Sequence, residues 1–471
     1  MGPLRAHSAA ASLWQEAGPD DPVAVIGFGG ALRPGLRPGD VVVASEVRGG
    51  DRVVACPTAP VLAAELRRLG MTVHIGPVLT VDAVVRRKDD RAALAETGAI
   101  AIDMESAAFL DLVGDRPRAV VRVIVDGPDR PLVSPATVRT GFHARRVLAR
   151  AATALQTWAD ACAPRSIRLA GPRSFCAGVE RAIAVVEAAL KQYGAPVYVR
   201  KQIVHNIHVV RDLEERGAVF VDEVSEAPDG STLVFSAHGV APQVRDEAAA
   251  RGLDVIDATC PLVSKVHAEA RRFAARGDTI VLIGHRGHEE VEGTTGEAPD
   301  QVVLVESVDG VAALDVPDPD RVSYLMQTTL AVDESHDIVG ALRERFPNLH
   351  GPSSDDICYA TTNRQAAVRE VARASDIVLV VGSGNSSNSR RLVELASREC
   401  GEAYLIDDEH DILPGYLAGR RTVGLSAGAS APPALVERVV DTLAGFGPIE
   451  RLEHNVVTES VEFSLPKEVS R

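Results

Sequence analysis

Three cysteines occupy similar positions in this sequence, each between a predicted strand and a predicted helix. They are Cys176 in FCAGVERAI, Cys260 in DATCPLVSKVH and Cys358 in DDICYATTNRQ, so that one structural position recurs three times. The start of a helix carries partial positive charge and free N–H groups, which favour a thiolate over a thiol. Pro261 fits the first position of a helix, where no N–H is needed.

Three thiolates that converge can bind a soft metal ion or an iron–sulfur cluster, and one coordination position then stays open for a substrate. The alternative for each thiol is a small buried hydrophobic side chain. We predict that alternative for the three cysteines that lack polar surroundings, Cys56, Cys162 and Cys400. A zinc-binding module that uses the first three thiols is a further alternative.

Histidines and glutamates follow several predicted strands of the second half. They are His205 and His208 in VHNIHVV, His238 in SAHGV, and His285, His288, Glu289, Glu290 and Glu292 in GHRGHEEVEG. Such histidines can donate hydrogen bonds to a phosphate while a glutamic acid delivers protons. A single histidine at a strand end can instead be purely structural, but several of them together favour a binding site.

Two Gly- and Ser-rich turns, in VVGSGNSSNSRRL and SAGASAP, each join a predicted strand to a predicted helix. Their hydroxyl and amide groups stand beside backbone N–H groups, an arrangement that suits phosphate oxygens. The residues concerned are Ser386, Ser387, Asn388 and Ser430. Plain capping of the helices by Ser and Asn is the alternative. No P-loop and no G-x-G-x-x-G follows a strand, so we predict no nucleotide cofactor.

The elements that must position these residues alternate between short apolar runs and longer amphipathic ones. The apolar runs TLVF, TIVLIG, VSYLM, DIVLVV and TVGLSA are predicted to be buried strands. This alternation predicts an α/β fold with largely parallel sheets, in which ligands bind beyond the carboxyl ends of the strands. A helical run ends at Ala161, and Pro164 and Arg165 are predicted to form a short linker. The predicted domains are therefore residues 1–163 and 167–468.

The composition is that of a globular protein with more than one domain, with 471 residues, 46% apolar and 24% charged, and a formal net charge of −15. No stripe of Lys and Arg is present, so we predict no nucleic-acid partner. The start of the sequence lacks the apolar core of a signal peptide, and no run is long enough to predict a membrane span. Six cysteines in a chain of this length do not indicate a disulfide framework, so we expect a cytoplasmic protein.

The motifs of the second half resemble the LytB/IspH family of 4-hydroxy-3-methylbut-2-enyl diphosphate reductases. The resemblance covers about Ile167 to Glu468 and includes, in order, FCAGVERAI, VHNIHVV, SAHGV, DATCPLVSKVH, IGHRGHEEVEGT, QTTL, DDICYATTNRQ, GSGNSSNSRRL and AGASAP. It implies a trefoil of three α/β subdomains around one [4Fe-4S] cluster per chain, held by Cys176, Cys260 and Cys358. It also implies reductive removal of an allylic hydroxyl, the last step of the non-mevalonate isoprenoid pathway. The products would be isopentenyl and dimethylallyl diphosphates, and the electron donor a ferredoxin- or flavodoxin-type protein.

The same resemblance assigns roles to the polar residues. His205, His238 and His288 match residues around the substrate diphosphate and hydroxyl. Glu290 matches the acid that delivers protons, and Thr328 in MQTTL matches a residue near the substrate hydroxyl. His288, Glu290 and Thr328 are thus expected to take part in catalysis. The expected diphosphate ligands are Ser386, Ser387, Asn388 and Ser430.

The first half resembles the nucleoside phosphorylase and nucleosidase superfamily in VAVIGFGGALRPG, GAIAIDMESAAFLDL and VVRVIVDGPD. By this resemblance Glu105 binds ribose hydroxyls, Met104 packs on the sugar and Asp126 protonates the purine. The family has a strand and a catalytic glutamate well before the Gly-rich motif, whereas Glu16 is the sole upstream glutamate here. We therefore expect a partial α/β domain, through either a start codon further upstream or loss of that segment.

Three alternatives stay open for this half. The chain can be a purine nucleosidase or phosphorylase whose second half acts as a scaffold. The first half can instead have a non-catalytic role in stability or partner binding. The motif IDMESAA can also be a plain start of an amphipathic helix.

Overall fold

The computed structural model describes residues 21–110, 114–127 and 135–469, so that Glu16 lies outside the described residues. The chain forms two compact units. The first unit consists of residues up to 168 together with 406–423 and 437–452, and the second unit consists of residues 169–405, 424–436 and 453–471. Among the helices that are described, none has both the length and the apolar character needed to cross a membrane.

Up to residue 161, the described residues of the first unit form six strands and four helices. The strands are β1 (Val23–Ala31), β2 (Val41–Gly49), β3 (Arg52–Ala55), β4 (Val73–Thr80), β5 (Ala101–Asp103) and β6 (Arg118–Asp126). The helices are α1 (Ala59–Arg68), α2 (Lys88–Ala95), α3 (Ser106–Leu110) and α4 (Pro135–Ala161).

The six strands form one sheet in the order β3-β2-β4-β5-β1-β6, and β6 also pairs with β2, so five of the strands close on themselves. β1 runs parallel to β6 and β2 runs parallel to β4, whereas β2 meets β6 antiparallel. On α4, the side chain of Trp158 is fully buried, and its Nε1 donates to Thr58 Oγ1 at 2.9 Å, directly before α1. The prediction of an α/β domain in this half is confirmed.

The rest of the chain contains twelve further strands and eleven further helices among the described residues. In chain order they are β7 (Arg165–Gly171), α5 (Ala177–Tyr193), β8 (Val197–Arg200), α6 (Ile207–Glu215), β9 (Ala218–Val221), β10 (Thr232–Phe235), α7 (Pro242–Ala250), β11 (Asp254–Asp257), α8 (Pro261–Ala275), β12 (Thr279–Ile283), α9 (Glu289–Gly296), β13 (Val302–Val305), α10 (Val308–Ala312), β14 (Val322–Met326), α11 (Val332–Arg345), α12 (Tyr359–Arg373), β15 (Ile377–Val381), α13 (Ser387–Cys400), β16 (Ala403–Ile406), α14 (Pro414–Leu417), β17 (Thr422–Ala427), α15 (Pro433–Ala444) and β18 (Ile449–Asn455). Two short 3₁₀ turns lie at Val224–Glu226 and Glu409–Asp411.

These strands form three sheets, with the orders β11-β10-β8-β9, β13-β12-β14 and β16-β15-β17-β7-β18. The first two sheets are parallel throughout. Because parallel strands are covered by helices on both faces, their apolar runs are nearly continuous, and every residue of β14 and β15 is buried. The prediction of an α/β fold with several sheets is confirmed. Polar residues begin where these strands end, which places them at the carboxyl edges of the sheets.

The linker predicted at Pro164 and Arg165 is wrong for Arg165, which is the first residue of β7. Its backbone N–H donates to the Pro448 carbonyl at 3.0 Å, and its guanidinium lies over the ring of Phe446. The side chain is only 4% exposed. A charged residue after a proline is typical of a loop, but the aromatic ring supplies a buried surface for this guanidinium.

Candidate functional site

The structure brings the three cysteines of the repeated motif to one cavity of the second unit. Each cysteine occupies the N-cap position of a helix, Cys176 before α5, Cys260 before α8 and Cys358 before α12, and the Cys358 side chain also accepts from the backbone N–H of Thr361. All three line a cavity of about 710 Å³, part of it open to solvent. A Cβ atom added to Gly178 would lie 2.7 Å from Cys260 Sγ and 3.8 Å from Cys176 Sγ, so these two sulfurs stand on the same side of the cavity.

Burial controls the protonation of these thiols. It is the main cause that raises the pKa of Cys260 to about 12 and the pKa of Cys358 to about 11, and the neighbouring thiols act in the same direction. Backbone N–H groups at the start of α8 lower the pKa of Cys260, but by less. The helix start thus acts in the predicted direction, towards the thiolate, but loss of solvent outweighs it at both residues. A bound cation would have to displace their protons.

A buried carboxyl group lies beside the thiols. Glu290 is 3% exposed, and its carboxyl accepts hydrogen bonds from the backbone N–H of Thr328 at 2.7 Å and from the Thr328 hydroxyl at 2.9 Å. Burial raises the pKa of Glu290 to about 7, although the two contacts with Thr328 lower it. Both residues line the cavity. The site therefore holds a carboxyl group that keeps its proton close to neutral pH.

Three imidazole rings stand together at the same cavity. The rings of His205 and His238 are stacked with centroids 4.0 Å apart, and the ring of His288 meets both edge-on at 5.6 and 5.9 Å. Burial, helped by the neighbouring His238, lowers the pKa of His205 to about 3 and that of His288 to about 4. These two rings are neutral at neutral pH.

The protonated nitrogen of one of these rings can be assigned from its partner. His288 caps α9, and its Nδ1 accepts from the backbone N–H of Glu290 at 3.2 Å. The proton of the neutral ring is therefore on Nε2, which can donate to a ligand. His205 Nδ1 is buried and has no hydrogen-bond partner among the described residues. Both rings can thus offer polar atoms to a bound group.

The two Gly- and Ser-rich turns reach the cavity as well. Ser386 caps α13 and accepts from the backbone N–H of Ser389, and Ser430 donates to the carbonyl of His205 at 2.9 Å. Asn388 Nδ2 is buried and has no partner among the described residues. Plain capping therefore accounts for Ser386 in this structure, whereas the amide of Asn388 can donate a hydrogen bond to a bound group. The remaining predicted residue of this set, Ser387, also lines the cavity.

Comparison with models of known protein families identifies the family of this chain. The family model described as LytB protein matches residues 167–444, which is more than half of the chain. The chain belongs to the LytB protein family. A second model, described as Phosphorylase superfamily, matches residues 1–158.

Curated relatives of the LytB family align with this chain over almost their whole length. The 4-hydroxy-3-methylbut-2-enyl diphosphate reductase 2 of Mycobacterium bovis is 59% identical over 308 residues, covering 64% of this chain and 94% of the relative. The reductase of the same name from Bordetella pertussis is 55% identical over 319 residues, covering 68% of this chain and 97% of the relative. Among solved structures, the E-1-hydroxy-2-methyl-but-2-enyl-4-diphosphate reductase from Plasmodium falciparum has a TM-score of 0.63 at 37% identity, covering 65% of this chain and 97% of that one.

Two residues that contact the lining of the cavity had no individual role predicted from the sequence, although Glu289 was among the glutamates considered there. Glu289 accepts a hydrogen bond from His238 Nδ1 at 3.0 Å, and this contact lowers the pKa of Glu289 although burial opposes it. Thr361 lies three residues after Cys358, where its hydroxyl is 3.1 Å from Cys358 Sγ. The position three residues into a helix is the usual partner of a capping side chain, and that spacing could have found Thr361. The other histidines considered from the sequence, His208 and His285, do not line the cavity.

A second cavity, of about 990 Å³, lies in the first unit and is lined by Met104, Glu105 and Asp126. The residues named for a nucleoside site thus share one cavity. Burial raises the pKa of Asp126, although an ion pair with Arg91 opposes the shift. Arg122 Nη1 lies 3.7 Å from Glu105 Oε2. Two buried guanidinium groups therefore stand beside the two carboxylates, which the sequence motifs did not indicate.

Proposed function

We propose that the second unit reduces 4-hydroxy-3-methylbut-2-enyl diphosphate to isopentenyl and dimethylallyl diphosphates. One observation carries this proposal: three thiols, a protonated carboxyl and a set of hydrogen-bond donors line the same cavity. The LytB relatives named above are reductases of this substrate. In the reaction the allylic C–O bond breaks and a C–H bond forms. Two electrons and two protons enter, and the oxygen leaves as water.

The three thiols fit an iron–sulfur cluster, which we propose to be a [4Fe-4S] cluster. Cys176, Cys260 and Cys358 would hold it, and Gly178 leaves space beside two of their sulfurs because it has no Cβ atom. When bound, such a cluster supplies the electrons and, with only three protein ligands, an iron that is open to the substrate oxygen. We further propose a ferredoxin- or flavodoxin-type protein as the source of these electrons.

Glu290 delivers a proton to the leaving oxygen in this proposal. Its raised pKa keeps the carboxyl protonated up to about pH 7. The Thr328 hydroxyl shares a hydrogen bond with Glu290 Oε2 at 2.9 Å. When Glu290 is protonated, the proton can pass to the Thr328 oxygen while the Thr328 proton passes to the substrate. The departing group is then water, which leaves more easily than hydroxide.

The donors at the other edge of the cavity bind the diphosphate. Neutral imidazoles, the Asn388 amide and the serine hydroxyls can donate hydrogen bonds to its oxygens, although they carry no charge themselves. Asn388 Nδ2 and His205 Nδ1 have no hydrogen-bond partner among the described residues, and the diphosphate would supply one to each. Binding of the anion also favours protonation of His205 and His288, since an opposite charge raises a histidine pKa.

Anaerobic purification followed by an iron and sulfide count tests the assignment directly. The protein should absorb near 400 nm and convert the substrate when a chemical reductant is supplied. Cys260→Ser should lose the colour or the turnover, and Cys400→Ser is the matched control, because Cys400 bonds to backbone carbonyls at the end of α13. A colourless protein that contains zinc would support the zinc-binding alternative and overturn the proposal.

The cavity of the first unit supports a second candidate, purine release from a nucleoside. Glu105, Met104 and Asp126 all line this cavity, so the residues expected to contact the ribose and the purine lie at one site. The ion pair with Arg91 favours the ionised form of Asp126, so proton donation to a purine would require this contact to open. Incubation of the full chain with methylthioadenosine, with Asp126→Asn as the control, tests the activity. Adenine release that is equal in both proteins, or absent from both, would contradict it.

A further inference from the structure

Three cationic side chains link the three cysteine positions of the second unit in a closed cycle. Arg181 stands on α5, Lys265 on α8 and Arg364 on α12, the helices that follow the three cysteines. Each of them donates hydrogen bonds to backbone carbonyls that precede the next cysteine. We call these three residues the cation ring.

The first link joins the first cysteine motif to the second. Arg181 follows Cys176 by five residues. Its Nη1 donates to the carbonyls of Ala258 and Thr259 at 3.1 and 3.0 Å. These are the two residues directly before Cys260, so one guanidinium fixes the backbone from which the second thiol projects.

The second link joins the second motif to the third. Lys265 follows Cys260 by five residues. Its Nζ donates to the carbonyls of Ser354 and Asp355 at 2.7 and 2.8 Å. The same ammonium is 3.1 Å from the buried carboxylate of Asp356. The loop that leads to the third thiol is therefore held by three contacts to one cation.

The third link closes the cycle. Arg364 follows Cys358 by six residues, and its side chain is fully buried. It donates twice to the carbonyl of Ser174, at 2.8 and 3.1 Å, and once to that of Phe175, at 3.0 Å. Ser174 has a φ of 62°, a conformation that is costly for a residue other than glycine and is kept only by surrounding contacts. The guanidinium supplies such contacts directly before Cys176.

Carbonyl groups that precede a helix have no partner inside that helix, so some other donor must satisfy them. Hydrogen bonds from charged donors are about twice as strong as those from neutral ones, and burial strengthens them further. Lys265 and Arg364 are each paired with a carboxylate, that of Asp356 and that of Glu459. Arg181 forms no ion pair among the described residues, so its charge can offset that of thiolates and bound sulfide. Since reduction adds a further negative charge, nearby cations make it more favourable.

We propose that Arg181, Lys265 and Arg364 are positioning residues that keep the three thiols at the separation required by a cluster, and that the charge of Arg181 also raises the reduction potential of that cluster. This inference rests on the proposed iron–sulfur assignment. None of the three residues needs to contact the substrate.

Arg181→Met tests the ring, with Lys191→Met as the matched control on the exposed far part of α5 and Arg181→Lys as the conservative variant. All are purified anaerobically with the cluster bound. Iron release to a chelator should be at least about tenfold faster in Arg181→Met, because the loss of even one of its charge-assisted hydrogen bonds corresponds to about that ratio. The midpoint potential of the cluster should become more negative, and Arg181→Lys should restore the potential. Lys265→Met should reproduce the faster iron release.

The results separate the two proposals. Wild-type protein without iron and sulfide would overturn the proposed function. Iron-loaded wild-type protein would support it. If iron release and midpoint potential were then the same in Arg181→Met and Lys191→Met, the cation ring alone would be overturned.

Discussion

Replacement of Glu290 by Gln tests the proton step with little change in shape. The Gln amide oxygen can still accept from the backbone N–H of Thr328, now 2.7 Å from the carboxylate, but the side chain has no acidic proton. A positioned general acid contributes about 10²- to 10⁴-fold to a rate, so kcat should fall by about that factor. The iron content should not change, because Glu290 is not a proposed cluster ligand.

Steady-state turnover under argon with a reduced viologen dye measures this loss. Glu292→Gln is the matched control, because Glu292 lies on the same helix, undergoes the same substitution and is exposed. Ionisation of a buried group with a raised pKa destabilises the folded protein as the pH rises through that pKa. The unfolding temperature of Glu290→Gln at pH 8 should therefore be no lower than that of the wild type.

The pH dependence gives the same reasoning a second measurement. The pKa of Glu290 is raised to about 7, so the proton-donating form prevails below that pH and is lost above it. Turnover should fall about tenfold for each pH unit above the pKa. The residual activity of Glu290→Gln should lack this alkaline decline. Near-normal turnover of the variant, or an unchanged alkaline decline, would refute the assignment of Glu290 as the acid.

Two further substitutions probe the remaining parts of the site. Gly178→Ala should lower the iron content with all ligands present, because its Cβ would lie 2.7 Å from Cys260 Sγ, whereas Gly340→Ala, which meets no atom within 4 Å, should retain full iron. Asn388→Ala should raise KM about tenfold with little change in kcat, through loss of one donor to a charged ligand. Asn385→Ala is its control, since Asn385 is exposed and its amide donates to Gln202. Equal iron in the two glycine variants, or equal KM in the two asparagine variants, would contradict the respective roles.

The elements that carry the site could be predicted from the sequence because their patterns are local. Strands such as β12 and β15 are short apolar runs followed by a glycine and then a polar residue, His285 or Ser383, and a parallel sheet brings such ends to one edge. Arg165 could not be predicted in this way, because the ring that covers its guanidinium comes from Phe446, far away in the chain. The cation ring could not be predicted for the same reason, since each cation contacts a loop that is 77 to 190 residues away in the chain.

The sequence GHEEVEG contains two adjacent glutamates, and residue type cannot tell which of them is the acid. Successive residues of a helix point about 100° apart, so Glu289 and Glu290 at the start of α9 meet different surroundings. The Glu289 side chain is 21% exposed and accepts from His238, which lowers its pKa. Glu290 is 3% exposed and accepts only from the uncharged Thr328 among the hydrogen bonds described, so burial raises its pKa. A carboxylate paired with a histidine and a protonated carboxyl thus stand side by side, and the surroundings of each side chain, rather than its chemistry, divide the two roles between them.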